Sequence, residues 1–211
     1  MDSHTFIEML FASDEDSVGK LVNNFANRYR KGAPVTELLP LLTHPDSRVV
    51  GVGAWIASEV VNERRGRDIF LPLSRLLEHD DPAVRFEALA GVPQLVQANE
   101  SAVILSILRL LADEDPGVRR QALSQVCLMP DSLFSNRQLL EALPDVVLLL
   151  DGVTKNQIRT GMHGQLLVQR LAVAGALRNY GIDLEFMSEV EEQSDTEVRE
   201  TLPTLPRGRS Y

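Results

Sequence analysis

Leu76-Leu77-Glu78-His79-Asp80-Asp81-Pro82-Ala83-Val84-Arg85 decides the fold, because it recurs. Leu110-Leu111-Ala112-Asp113-Glu114-Asp115-Pro116-Gly117-Val118-Arg119 carries the same features, and Leu41-Leu42-Thr43-His44-Pro45-Asp46-Ser47-Arg48 aligns on its proline. In each stretch a Leu-Leu pair closes an apolar pattern of helical period, a short polar turn follows, and a proline stands three residues before an arginine. Asp before Pro reads as a helix start. The carboxylate accepts from the open N–H groups of the first turn, and proline has no N–H to leave unpaired. Downstream, Ala88, Leu89 and Val92, then Ala122, Leu123 and Val126, continue at helical spacing.

The series extends with weaker copies. Asn156 stands in the proline position before Arg159, and Asp195-Thr196-Glu197-Val198-Arg199 repeats a helix start. Asp16-Ser17-Val18 before Lys20-Leu21 is a faint copy near the N-terminus. Amphipathic first helices are expected at 35–42, 69–78 and 101–112, and a further N-terminal helix at 5–11. Pro34 and Pro72 fall near helix starts, whereas Pro40 and Pro144 should kink or shorten theirs. A single helix pair cannot bury its apolar stripe, but stacked pairs can.

These strings, above all 81–85 and 115–119, resemble the HEAT repeat family, including its short bilin-lyase-like variants. The resemblance covers roughly 14–200 and implies an all-α fold, an α-solenoid of about five to six stacked HEAT-like helix pairs. Residues 1–200 would form this single array and 201–211, beginning Thr201-Leu202-Pro203, a flexible tail. The first copy departs from the pattern with His44 for the cap aspartate, the fourth with Lys155-Asn156, and 127–136 reads as an inserted loop.

Composition bounds the function. The 211 residues are 44% hydrophobic and 24% charged, an ordinary globular balance. Thirty acids against 21 bases give a net charge of −9, which disfavours nucleic acid as a partner bound mainly through phosphates. Eight acids and one base fall in 183–200, suited either to a cationic contact or to the polar end of an array. One cysteine, Cys127, rules out an internal disulfide and reads as a small hydrophobe at a helix end. No apolar run is long enough to span a membrane and no signal peptide is visible, so a cytoplasmic location is expected.

Catalytic patterns are missing from the sequence. His4, His44, His79 and His163 show no metal-ligand spacing, so neither a metal nor a cofactor is expected. HEAT-like deoxyhypusine hydroxylases carry several His-Glu pairs for a di-iron site, and this sequence has none. Gly51-Val52-Gly53 lies within an expected helix and reads as small residues permitting close packing. Trp55 falls at a core offset.

The second helices of HEAT-like stacks line the inner face. Counting from each proline, the outward stripe supplies candidate partner-binding residues Val49, Val50, Phe86, Glu87, Arg120, Gln121, Gln157 and Thr160. Apolar members suggest a docking patch. Equally, Phe86 and Val49 could tuck between neighbouring helices or lie under the N-terminal one. The arginine column Arg48, Arg85, Arg119, Arg159 and Arg199 is expected to bridge to cap aspartates of neighbouring copies. Arg64-Arg65-Gly66-Arg67 reads as a solvated basic turn. The function expected is a non-catalytic interaction module binding a partner protein, an adaptor or scaffold. Its alternatives are an immunity or inhibitor protein neutralising a basic bacterial toxin, and a HEAT-like alkylpurine DNA glycosylase, which the charge and the placing of Trp55 oppose.

Overall fold

Every second helix anticipated among the described residues begins on an aspartate. A computed structural model of the chain describes residues 1–62, 64–130 and 132–133, leaving aside the side chains of Glu15, Leu123 and Cys127. Beyond these lie the fourth and fifth copies, including Gln157, Thr160, Arg159 and Arg199, together with Pro144, His163, the acidic stretch 183–200 and the tail 201–211. The described chain is helical, with one isolated antiparallel bridge between Asn62 and Arg65. It divides into two compact units, Met1–Val96 and Gln97–Tyr211.

In the first unit α1 (Ser3–Ala12) and α2 (Glu15–Arg30) are capped by Asp2 and Asp14, whose carboxylates accept the N–H groups of Thr5 and Ser17 at 2.9 and 2.8 Å. The ring of Phe6 on α1 stacks on that of Phe25 on α2 at 3.9 Å, and Phe25 meets Tyr29 edge-on at 5.3 Å. Pro40 does shorten its helix: a 3-10 turn, Val35–Leu38, leads into a one-turn α3 (Leu39–Leu42). Then come α4 (Ser47–Val60), α5 (Arg67–Arg75) and α6 (Pro82–Gly91). Pro72 lies inside α5, because that helix starts at Arg67, earlier than the apolar spacing suggested.

Helices α2, α4 and α6 pack side by side in chain order, and α3 packs against both α1 and α5. Helix α4 therefore has neighbours on most sides, and Val49, Val50, Gly53, Ala54, Ile56, Ala57 and Val60 are all buried. The second unit contains α7 (Ser101–Arg109), a 3-10 turn Leu110–Ala112, and α8 (Pro116–Leu128). Its described core includes Ile104, Ile107, Leu108, Leu111, Val118, Ala122 and Val126.

The caps fix the register of the copies. Asp46, Asp81 and Asp115 each accept N–H groups of their helix's first turn, from Arg48 at 2.9 Å, Ala83 at 2.9 Å, and Gly117 and Val118 at 2.8 and 3.0 Å. The first helical residues are thus Ser47, Pro82 and Pro116. Pro45, used above as the counterpart of Pro82, instead precedes the cap. The first copy is displaced by two residues, and two residues turn a helix through about 200°. Its expected surface becomes its core.

Candidate functional site

With the register set by the caps, Val49 matches Val84 and Val118, and all three are core. Val50 matches Arg85 and Arg119. Val49 is 0% and Val50 2% exposed, so neither is available to a partner, which corrects their place among the binding residues. The stripe that does face outward on α4 is Val52, Trp55 and Glu59. On α6 and the 3-10 turn Val92–Gln94 that follows it, the same positions hold Glu87, Ala90 and Gln94, with Phe86 beside them. Phe86 is 38% exposed and Glu87 half-buried. In the second unit Arg120 is exposed, Gln121 half-buried, and Leu128 at the end of α8 is 75% exposed.

Trp55 is not the core residue that counting from Pro45 indicated. It is half-buried, with the Arg30 guanidinium 5.8 Å from the centre of its ring. Arg30, at the end of α2, also pairs with Glu59 at 3.0 Å and bonds Asn27 at 3.1 Å. A cation from α2 therefore lies between an aromatic ring and a carboxylate of α4. Gln94, in the 3-10 turn after α6, donates to the carbonyl of Ser58 at 3.3 Å, which ties that turn to the same end of α4. Glu87, on the facing side of α6, has no cation paired with it among the described residues. Burial, and then the charge of Glu59, push its carboxyl above the usual range. The face thus presents two aromatic side chains, one carboxylate matched by Arg30 and one that no cation among the described residues matches.

The arginines of the turns serve their own turns. Arg119 donates to the carbonyls of Asp113 and Glu114 at 2.6 and 2.9 Å. Arg85, only 7% exposed, donates likewise to His79 and Asp80 at 2.7 and 2.9 Å. Arg48, which is not their counterpart, forks onto Asp46 of its own cap at 3.2 and 3.0 Å and stands over the ring of Phe11 at 5.3 Å. These bonds close the loop carbonyls and the cap within each copy, and Arg159 and Arg199 of the same column lie outside the described residues. The basic turn is likewise structural rather than merely solvated. Arg65 donates to the carbonyls of Tyr29, at 2.8 Å, and Ala33, and Arg67 donates to that of Leu95 at 2.9 Å while stacking on Phe70 at 4.3 Å. Gly66 between them has φ +127°, a value that favours glycine.

Among the described residues no group of three or more His, Cys, Asp and Glu side chains gathers where it could hold a metal ion. No helix there is long and apolar enough to cross a membrane. His44 and His79 occupy turns, where each Nδ1 accepts a backbone N–H, from Asp46 and Asp81, at 3.0 Å.

Compared with known proteins, the chain matches no family model and no curated protein. It is similar in fold to the crystal structure of an engineered protein from the Northeast Structural Genomics Consortium. The TM-score is 0.61 at 16% identity, over 97% of this chain and 94% of that one. At that identity the likeness concerns the fold alone.

Proposed function

We propose that the chain is an α-solenoid of HEAT-like helix pairs that acts as a non-catalytic protein-binding module, an adaptor or scaffold. Its partner protein docks on the outward stripe of the second helices. What supports the repeat is a unit seen three times, with an aspartate cap, a turn closed by the residue two before it, and the same core positions. What carries the binding reading is one observation: Trp55 on α4 and Phe86 on the adjacent α6, two large aromatic side chains, both reach solvent on outward positions of neighbouring helices. Affinity purification from the native host tests it. The wild-type chain should recover a partner protein that Trp55→Ala and Phe86→Asp lose while remaining folded. Equal recovery by both variants would contradict the reading.

Glu59 and Glu87 on that face, with a chain charge of −9, favour a second reading, an immunity or inhibitor protein neutralising a basic toxin. A toxin-like reading frame beside the gene, and inhibition of its product by this chain, would support that form. The glycosylase alternative gains from the outward position of Trp55 beside Glu59, but the same charge opposes it. Salt-dependent binding to duplex DNA carrying an alkylated base is its test.

A further inference from the structure

We infer that the occupant of the α4–α6 face is a basic segment of a partner protein, whose arginine or lysine pairs with Glu87 while its apolar side chains rest on Phe86 and Trp55. The inference rests on the protein-binding reading and narrows it to a chemistry. Three independent observations lead to it.

The first is a charge left open. Glu59 and Glu87 sit on neighbouring helices close enough for one to disturb the other. Arg30 answers Glu59, and among the described residues no cation answers Glu87. A half-buried carboxylate without a cation has lost part of its hydration and gained nothing in exchange, so an incoming cation recovers both.

The second is that the chain already shows what this surface accepts. The guanidinium of Arg30 lies over Trp55 and on Glu59, the arrangement in which ring quadrupole and carboxylate act together on one cation. A partner's cation beside Glu87 would meet a carboxylate as Arg30 does, with Phe86 next in sequence and exposed to receive an apolar neighbour on the same segment.

The third is the long-range field. In 1–96, the unit that carries this face, fourteen acids against ten bases favour a basic partner over an acidic one before contact is made.

The test uses the full-length chain and a display library of random dodecapeptides, panned in parallel on wild type and on Glu87→Gln. The wild type should enrich peptides carrying Arg or Lys among apolar residues. A synthetic copy should alter the fluorescence of Trp55, the single tryptophan in the chain, which places the peptide on this face. Its affinity should fall about ten-fold for Glu87→Gln, and by a similar factor when citrulline replaces the peptide's arginine, as expected when one partner of a charged pair is removed. The two changes together should cost little more than either alone. No enrichment, enrichment without basic residues, a silent Trp55, or an affinity indifferent to Glu87→Gln would overturn the inference. A host partner lost by Phe86→Asp yet kept by Glu87→Gln would remove this inference while leaving the protein-binding reading in place. Retention by both variants would remove both.

Discussion

The imidazole of His79 accepts the backbone N–H of Asp81 on Nδ1 at 3.0 Å, holding the turn that delivers the cap. His44 does the same for Asp46 at 3.0 Å, and in the next copy the carboxylate of Asp113 takes the place of the imidazole, accepting from Asp115 at 2.8 Å. The position asks for an acceptor, whatever its chemical type. His79→Asp should therefore leave stability within about 0.5 kcal/mol of wild type, while His79→Leu, which strands the N–H, should cost about 1 kcal/mol. Urea denaturation of the two variants measures both.

The caps themselves are the next test. Asp81→Ala removes one accepted N–H and Asp115→Ala two, so each should destabilise by about 1 kcal/mol, with Asp115 the costlier. Replacement by Ser or Asn should recover most of the loss. A neutral Asp115→Ala in the same denaturation assay would mean that α8 does not start where the bonds place it.

Two glycines of α4 make a matched pair. A Cβ on Gly53 would come within 2.7 Å of the Leu41 Cβ, a contact that requires α3 and α4 to separate. One on Gly51 would meet only Val84 Cγ2 at 3.8 Å, an ordinary contact. Gly53→Ala should cost about 1–3 kcal/mol through overpacking, and Gly51→Ala should gain about 0.5–1 kcal/mol through helix propensity. Thermal melting of the two variants should move in opposite directions.

Glu87 predicts a pH dependence. Burial and Glu59 raise its carboxyl in the folded chain above the unfolded value, so between the two values the native state holds more protons. Its contribution is then fully present below the unfolded value and is lost as pH rises through the folded one. Glu87→Gln should be more stable than wild type at neutral pH and should lose that advantage in acid. Denaturation midpoints followed across both conditions give the comparison, and an advantage independent of pH would contradict the assignment.

Helix starts at Asp81-Pro82 and Asp115-Pro116 are legible in sequence because capping is local: the acceptor and its N–H groups are two or three residues apart. The first copy shows how such a signal misleads. Pro45 attracts the alignment, yet the residues that set the turn are His44 and Asp46, matching His79 and Asp81 at the same separation. Aligning on the His-x-Asp pair places Val49 with the core valines Val84 and Val118, Val50 at the position of Arg85 and Arg119, and Trp55 on the surface. Arg65 and Arg67 read as solvated because their acceptors, the carbonyls of Tyr29, Ala33 and Leu95, lie 28 to 36 residues away. The meeting of Arg30 with Trp55 and Glu59, and the nearness of Glu59 to Glu87, are equally non-local. Both depend on α2, α4 and α6 packing side by side, which no spacing within one helix reveals.

Photo-crosslinking in the native host addresses the central claim most directly. Benzoylphenylalanine is placed singly at Phe86 and at Leu71, which is 59% exposed on the first helix α5 of the same copy. A discrete adduct with one partner protein from position 86, and none from 71, is the predicted outcome. An adduct from 71 with position 86 silent would contradict it, and the α4–α6 face would no longer be the docking surface.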